Sequence, residues 1–402
     1  MRLGSFIKGD KAIWSVVIIL SIVSTVVVYS STGALAYKRQ NGNTEFYLFK
    51  HVFTLVFGLG LMVLTHNIKY IYYNRLSQIA MFAAIPLLIF TLAKGSNLNE
   101  ASRWIQIPVI NLTFQTSDFA KLALISYVAR MLAVKQEKLH DFKEGFLPII
   151  LPVITICALI LPANFSTAAV LFTTCFTLMF IGRVHYKHML ALIGIGIAGI
   201  LIILAVGKFA PKVFPRFGTW MKRIENFQSS DSKGNFQVEQ AKIAIATGAP
   251  FGKGPGKSTQ RNFLPHPYSD FIYAIIIEEY GTLMGLGILL LYIIILFRGL
   301  RILKRCDKTF GSLLAFGLSF SLVFQGLINM AVATNLFPVT GQPLPLLSMG
   351  GTSIWFTSIS IGIILSVSRD LESNEENEEE SKEVSEGTVN EQLENEKEVS
   401  YA

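Results

Sequence analysis

The feature that most constrains this chain is a series of apolar runs, each long enough to cross a bilayer as a helix of about 20 residues. Only 15% of the 402 residues are charged, whereas about a quarter are charged in soluble domains. The runs cover residues 12–33, 49–66, 75–93, 118–134, 147–162, 166–182, 189–207, 271–297, 310–334 and 351–368. The sequence therefore predicts an all-α polytopic membrane protein with about ten transmembrane helices.

The distribution of lysine and arginine predicts the orientation, because cytoplasmic loops carry an excess of these residues. With the N-terminus inside, the short inner loops hold sixteen of them and the short outer loops hold five. The first run lacks the small-residue cleavage pattern of a signal peptide. We therefore expect cytoplasmic N- and C-termini and a large extracytoplasmic loop, residues 208–270, between the seventh and eighth helices.

The end of the chain differs from the rest in composition. Residues 370–402 contain thirteen acidic residues and two lysines, although the whole chain has a net charge of +8. Such a segment has too few apolar residues to form a packed core. We expect a membrane domain over residues 1–369 and an acidic, disordered cytoplasmic tail over residues 370–402. Because basic residues do not interleave with aromatic ones in a block, nucleic acid is not an expected partner.

Polar residues concentrate in three segments, residues 94–121, 208–270 and 338–353, all on the extracytoplasmic side or just within it. Irregular backbone at membrane depth is tolerated only where it is buried in protein or lines a wet cavity. Within these segments Asp270 stands at the mouth of the eighth predicted helix, and Glu278 lies eight residues further, close to the same helix face. Intramembrane carboxylates are functional candidates by default. The pattern predicts one outward-facing site.

Several candidate residues leave more than one interpretation open. The segment GKGPGKST (252–259) resembles a phosphate loop, but Phe251 stands where that motif requires glycine, so we expect no nucleotide. Lys253 and Lys257 belong either to a flexible turn or to a site for a lipid pyrophosphate. Lys121 is either paired with Asp118, three residues away, or available to substrate. Six further residues are candidates for substrate binding: Arg103, Arg216, Lys222, Arg223, Gln237 and Gln240. For each of them the alternative is an ordinary anchor at the membrane interface or a surface residue without a role in binding. Gln237 and Gln240 lie on a predicted amphipathic surface helix over residues 236–248.

Four segments, in order, resemble the SEDS family of shape, elongation, division and sporulation proteins. They are ASRWIQI with FQTSDFAKLAL, FQVEQAKIAIATGAPFGKGPGKS, LPHPYSDFIYAIIIEEYG and QGLINMAVATNLFPVTGQPLPLLSMGGTS. Among family members, FtsW and SpoVE look nearer than RodA. The chain departs from the family pattern at Thr116, Asp118, Asn164, Ser166, Tyr268 and Ser269, and Asn164 is neutral where the family usually has an aspartate.

The resemblance implies a bacterial inner-membrane glycosyltransferase that polymerises lipid II, the undecaprenyl-pyrophosphate-linked peptidoglycan precursor, on the outer face. Asp270 matches the essential acid of the family, which suggests a catalytic base for an inverting displacement, with a divalent cation (Mg²⁺ or Mn²⁺) as a candidate ligand of the same carboxylate. The implied partners are lipid II, the lipid-linked glycan, a class B penicillin-binding protein and other division proteins. The family motif adds further candidate substrate contacts: Ser348, Gly350, Gly351, Thr352 and Ser353.

Three other functions fit the composition. A side-wall polymerase of the RodA type would have the same chemistry in a different cellular role. A lipid II flippase or another transporter would need polar residues near the membrane midplane, whereas here they gather on one side. A non-catalytic scaffold of the division machinery is the third.

Overall fold

The computed structural model describes residues 8–39, 42–98, 101–107, 112–209, 217–228, 236–373 and 375. The helices are α1 (Lys11–Ser31), α2 (Gly33–Arg39), α3 (Thr44–Asn67), α4 (Ile71–Lys94), α5 (Thr116–Val134), α6 (Leu147–Ile160), α7 (Phe165–Ile181), α8 (Tyr186–Phe209), α9 (Phe217–Gln228), α10 (Phe236–Gly248), α11 (Ile272–Arg305), α12 (Thr309–Ala333) and α13 (Thr352–Ser373). Three short strands, β1 (Ser96–Leu98), β2 (Ala101–Ile107) and β3 (Leu112–Gln115), form an antiparallel sheet.

Each of the ten predicted apolar runs coincides with a helix, namely α1, α3–α8 and α11–α13. Among the described helices, seven are long and apolar enough to cross a membrane by length and composition. This confirms a polytopic helical membrane protein, while the count of ten crossings remains a prediction. α12 lies at the centre of the bundle, where it packs against α5, α7, α10 and α11.

The interruption at residues 161–164 separates α6 from α7. Asn164 is buried and is the N-cap of α7, where its Oδ1 atom accepts a hydrogen bond from the Thr167 amide at 3.4 Å. Asparagine is among the preferred N-cap residues because its side chain satisfies an amide that lacks a helical partner. The neutral residue at this position therefore serves as a helix cap.

The small sheet was not predicted, and it adds three short strands within residues 94–121 to an otherwise helical chain. β2 pairs with β3 in a regular antiparallel register from Trp104 opposite Gln115 to Ile107 opposite Leu112. The strands are only three to seven residues long. β3 leads directly into α5, so the sheet covers the outer end of that helix.

Helix α11 is not one continuous helix, which changes the expected position of Glu278. Gly281 has φ 87° and ψ 169°, a conformation that L side chains rarely adopt, and a Cβ atom there would lie 2.2 Å from the Pro250 carbonyl oxygen. The residues before it, Ile272–Glu279, are buried. The carbonyls of Glu278 and Glu279 accept hydrogen bonds from Lys253 and Gly254, each at 2.9 Å. Glu278 thus lies near the end of a short buried helix, just before the break at Gly281.

Contacts at the opposite face bring the two described ends of the chain together. Asp10 accepts hydrogen bonds from the first amides of α1 and forms an ion pair with Arg298 near the end of α11. The amide of Gly9 donates to Glu372 at 2.7 Å, in the last turn of α13. The beginning and the end of the membrane domain therefore lie on the same side, as the charge distribution predicts.

Candidate active site

Asp270 lies in the loop that precedes α11, residues 262–271, which we call the Asp270 loop. Its side chain is half-buried, and Oδ1 accepts a hydrogen bond from the Ser269 hydroxyl at 2.9 Å. A Cβ atom on Gly341 would lie 3.5 Å from Asp270 Oδ2. The backbone therefore runs close to the carboxylate at a position that carries no side chain, and this leaves Asp270 room for a ligand.

Two amide side chains of α12 hold the Asp270 loop against the loop that joins α12 to α13, residues 334–351. Asn329 donates from Nδ2 to the carbonyls of Asp270 at 2.9 Å and of Gln342 at 2.7 Å. Gln325, one turn earlier, donates to the Pro343 carbonyl at 2.9 Å. Sequence analysis did not single out either residue, although two amides four residues apart in an apolar helix were a usable signal. They position the backbone on both sides of the site.

The α12–α13 loop also contacts the Asp270 loop directly. The Ser348 hydroxyl donates to the Ser269 carbonyl at 2.7 Å, and the Met349 amide donates to the Tyr268 carbonyl at 2.9 Å. Ser348 was predicted to contact substrate, but it is buried and bonded to the chain. Its observed contacts give it a positioning role next to Asp270.

The site is connected to α1 through the α12–α13 loop. The Ser24 hydroxyl donates to the Leu347 carbonyl at 3.0 Å, next to Ser348. Ser24 precedes the last residue of α1 by seven positions, which at 1.5 Å per residue is about 10 Å. Glu279, by contrast, accepts a hydrogen bond from Ser30 at the very end of α1. The Asp270 loop is therefore connected to α1, through Leu347 and Ser348, six residues before the Ser30 contact of Glu279.

Lys121 lies in a small cavity of about 40 Å³ between α5, α12 and α13. Its Nζ atom is 2.8 Å from Asp118 Oδ1 and donates to Gln325 Oε1 at 2.9 Å. The pairing with Asp118 that the spacing suggested is thus present. Because Gln325 also binds the α12–α13 loop, Lys121 is connected to the wall of the site by two hydrogen bonds.

A larger cleft of about 490 Å³ lies between α9, α10, the Asp270 loop and the α12–α13 loop. Arg223 and Lys222 contribute positive charge to it, and Phe227, Phe236 and Phe263 contribute apolar surface. Arg223 donates to the Val339 carbonyl at 3.0 Å, two residues before Gly341. The cleft is therefore suited to a ligand that combines an anion with an apolar chain.

The glycine-rich segment, residues 252–259, is an anion cradle, but its anion belongs to the protein. The fully buried carboxylate of Glu278 accepts hydrogen bonds from the Thr259 amide at 3.1 Å and from the Ser258 and Thr259 hydroxyls. Lys253 Nζ lies 2.6 Å from the same carboxylate. The structure therefore corrects the predicted substrate contacts of Lys253 and Glu278, because each compensates the charge of the other.

A second carboxylate, Glu279, completes this polar cluster. It accepts hydrogen bonds from the Ser258 amide at 3.3 Å and from the Ser30 hydroxyl, and Arg261 Nη1 lies 4.0 Å away. Arg261 also donates to the Ser30 carbonyl at 2.9 Å. Sequence analysis did not identify Arg261. The cluster fastens the segment that leads into the Asp270 loop to the ends of α1 and of the short buried helix.

The other predicted site residues occupy varied positions. Gln237 lines the large cleft, whereas Gln240 is partly buried and Lys257 is exposed. The predicted surface helix, α10, buries Val238, Ala241 and Ala244 against the bundle.

Two predicted site residues cannot be placed fully. Arg216 lies outside the described residues, and Arg103 lies in β2 with its side chain outside the described part. The remaining residues begin α13: Gly350 and Gly351 precede it, Thr352 binds β3 through Gln115 and Thr113, and Ser353 lines the Lys121 cavity.

The donor set at Asp270 limits how a metal ion could bind. Among the described residues, no three histidine, cysteine, aspartate or glutamate side chains form a group that could hold a metal. Asp270 supplies one carboxylate. A magnesium ion bound through one or two carboxylates and substrate phosphates is compatible with this arrangement, since Mg²⁺ retains several non-protein ligands.

Comparison with known proteins identifies the fold and the family. A family model described as "Cell cycle protein", for FtsW, RodA and SpoVE, matches residues 10–373. The chain belongs to the FtsW/RodA/SpoVE family. This confirms the resemblance seen in the four sequence segments, and with the apolar helices it makes the chain a multi-pass inner-membrane protein.

Individual relatives cover nearly the whole chain. Stage V sporulation protein E of Bacillus subtilis is 31% identical over 366 residues, 90% of this chain and 97% of the relative. A probable peptidoglycan glycosyltransferase FtsW of Trichlorobacter lovleyi is 31% identical over 369 residues, 90% of this chain and 93% of the relative.

Two solved structures share the fold. A chain from a peptidoglycan synthase complex superposes with a TM-score of 0.71 at 23% identity, covering 90% of this chain and 98% of its own. Thermus thermophilus rod shape determining protein RodA gives a TM-score of 0.63 at 23% identity, covering 90% and 97%.

Proposed function

We propose that this family member is a peptidoglycan glycosyltransferase that polymerises lipid II on the extracytoplasmic face of the membrane, with Asp270 as the catalytic base. The observation that carries the proposal is the state of Asp270. It is half-buried and lies against the backbone of Gly341. Among the contacts described for it, the Ser269 hydroxyl is the one hydrogen bond to its carboxylate.

The chemistry requires one base. The 4-hydroxyl of one sugar attacks the anomeric carbon of another, the bond between that carbon and the pyrophosphate oxygen breaks, and the hydroxyl proton passes to Asp270. The pyrophosphate leaves with its lipid and the bonding electron pair. An α-linked donor gives a β-linked product by this single displacement, so no covalent sugar–enzyme intermediate is needed.

Glu278 and Glu279 are poorly suited to that role. Each is buried and receives hydrogen bonds from residues 258–260 or from Ser30, and each faces a cation. A carboxylate that is buried and ion-paired in this way is inaccessible to a sugar. Asp270 has neither restriction.

The leaving pyrophosphate needs positive charge, and polymerisation involves two lipid-linked pyrophosphates. The α12–α13 loop contributes to two cation-lined cavities, through Pro338 and Val339 to the Arg223 cleft and through Pro345 to the Lys121 cavity. Arginine can contact phosphate in a bidentate manner. We assign the Arg223 cleft to a lipid-linked pyrophosphate; the Lys121 cavity, about 40 Å³, is too small for a second substrate, so Lys121 acts from the wall of the site.

A divalent cation, Mg²⁺ or Mn²⁺, would be held by Asp270 together with substrate phosphate, and it would supply further charge neutralisation at the pyrophosphate. The residue roles above do not depend on it. Asp270 accepts the proton, Ser269 and Asn329 orient the loop, and Arg223 holds a pyrophosphate in the large cleft.

A class B penicillin-binding protein is the proposed partner, because a polymer of lipid II must be cross-linked to become cell wall; interactions with other division proteins remain a prediction. The division role is favoured over side-wall elongation by relatives with FtsW and SpoVE names. Depletion in the source bacterium separates the two, since loss of septal synthesis gives filaments and loss of side-wall synthesis gives rounded cells.

The direct test is reconstitution of the full chain with its transpeptidase partner and fluorescent lipid II. We expect polymer on a gel, with release of one lipid pyrophosphate for each bond formed. Absence of polymer, together with movement of lipid II across proteoliposome membranes, would support a flippase instead. Absence of both activities in a stable complex would support a scaffold.

A further inference from the structure

The cytoplasmic end of α11 carries a stripe of three arginines, Arg298, Arg301 and Arg305. Their spacings of three and four residues place them on one helix face. With residues from the ends of α1 and α13 they line a cavity of about 130 Å³. Arg298 pairs with Asp10, but Arg301 is exposed and has no ion-pair partner among the described residues. The positive charge of Arg301 is therefore not paired within the described part of the chain.

Acidic residues of the same chain lie next to this stripe. Glu375, two residues beyond α13, lies with Oε1 3.4 Å from Arg305 Nη1, and both it and Glu372 line the same cavity. Residues 376–402 follow directly and contain ten acidic residues and two lysines, a net charge of −8. Glu376 and Glu378–Glu380 come first. Three or four extended residues span about 10 Å, so these carboxylates begin within reach of Arg301.

We propose that residues 376–386 of the acidic tail dock on the arginine stripe and compete there with anionic lipid headgroups. A covalently tethered segment has a high effective concentration near its anchor, so many weak pairs act together. Exposed ion pairs are individually weak and are screened by salt. Docking is therefore reversible and depends on ionic strength. In the docked state the tail withholds the arginines from the anionic inner leaflet, to which basic juxtamembrane residues otherwise bind.

Carbodiimide cross-linking tests this on the full chain in phosphatidylcholine nanodiscs. The reagent joins carboxylates directly to amines, and Lys304 and Lys308 lie beside Arg305. We expect peptides that link Glu376–Glu386 to these two lysines at about 20 mM salt, and a yield at least about fivefold lower at about 500 mM. The double variant Arg301→Gln and Arg305→Gln, which retains both lysines, should show a similar loss. The matched double variant Lys138→Gln and Lys143→Gln, on another cytoplasmic loop, should not.

Two results would overturn the proposal. The first is the absence of links to Lys304 and Lys308 at low salt, and the second is equal linking to Lys138 and Lys143, which would indicate an undirected tail. Replacement of phosphatidylcholine by phosphatidylglycerol tests the competition, because anionic headgroups should lower the yield. An unchanged yield would mean that lipid and tail do not share the arginines.

Discussion

The Nζ atom of Lys253 lies 2.6 Å from Oε1 of Glu278, whose side chain is 0% exposed. The same carboxylate accepts hydrogen bonds from Ser258 and Thr259. The side chain of Glu278 therefore binds the beginning of the segment 258–278, and Asp270 lies near the middle of this segment. This pair, which the sequence offered as candidate substrate contacts, holds the segment that contains Asp270 in shape.

Glu278→Gln should destabilise the protein by about 3 kcal/mol, the lower end of the range for breaking a buried pair, because Lys253 keeps some contact with solvent. Thermal unfolding in detergent should show a lower Tm, and polymerisation should fall with the folded fraction. Lys257→Met, at an exposed lysine of the same segment, is the control and should change neither. An unchanged Tm with abolished turnover would restore the direct substrate role of Glu278.

Lys121 can be tested with a charge-balanced pair of variants. Lys121→Met alone leaves the buried Asp118 carboxylate without its cation, which should lower stability. Adding Asp118→Asn removes that carboxylate charge and should restore Tm.

If Lys121 also binds pyrophosphate, the folded double variant should still lose about tenfold or more in kcat/KM for lipid II, the expected loss of a charged hydrogen bond. Parental kinetics in the double variant would reduce Lys121 to a structural partner of Asp118.

Features that depend on neighbouring residues in the sequence could be predicted, whereas features that depend on contacts with distant residues could not. Membrane spans were predictable because an apolar run of bilayer length directly indicates a transmembrane helix. The break before Asn164 was predictable because it contains a proline and a residue type that commonly caps helices. The break at Gly281 was not predictable, since glycine is common in transmembrane helices. Its non-helical φ and ψ depend on contacts with Pro250, 31 residues earlier.

The site shows the same division. Asp270 was identified from the resemblance, and the glycine-rich segment indicated an anion. Which anion could not be predicted, because Glu278 approaches that segment only through the Gly281 break. Asn329 and Gln325 were overlooked because their partners are main-chain carbonyls, which have no sequence signature.

Removal of residues 376–402 should leave polymerisation in the reconstituted complex within about twofold of the parent, because this composition cannot support a packed core. A cut after Asp370 should be more harmful, since it removes Glu372, which accepts the hydrogen bond from Gly9. Tm and initial rate of the two truncations are the measurements. Loss of activity in the shorter deletion, with Tm preserved, would contradict a dispensable tail.

Cys306 offers a native probe of topology, because Cys157 and Cys175 are buried in α6 and α7. Burial raises the pKa of the Cys306 thiol, so its thiolate fraction at neutral pH is small and labelling should accelerate as pH rises toward that pKa. A membrane-impermeant maleimide should label inverted vesicles but not intact spheroplasts. Lys257→Cys, on the outer side, should give the opposite result. Labelling of Cys306 in intact spheroplasts would reverse the orientation.

The rate of lipid II polymerisation by Asp270→Asn tests the central claim most directly. The substitution keeps the size of the side chain but removes its basicity. Loss of a general base typically costs about a hundredfold to ten-thousandfold in rate. The purified variant, in complex with the transpeptidase partner, should bind lipid II and show the parental Tm, yet make essentially no polymer. Asp307→Asn, at a cytoplasmic acid, should polymerise normally. Polymer formation by Asp270→Asn at near the parental rate would contradict the assignment of Asp270 as the base.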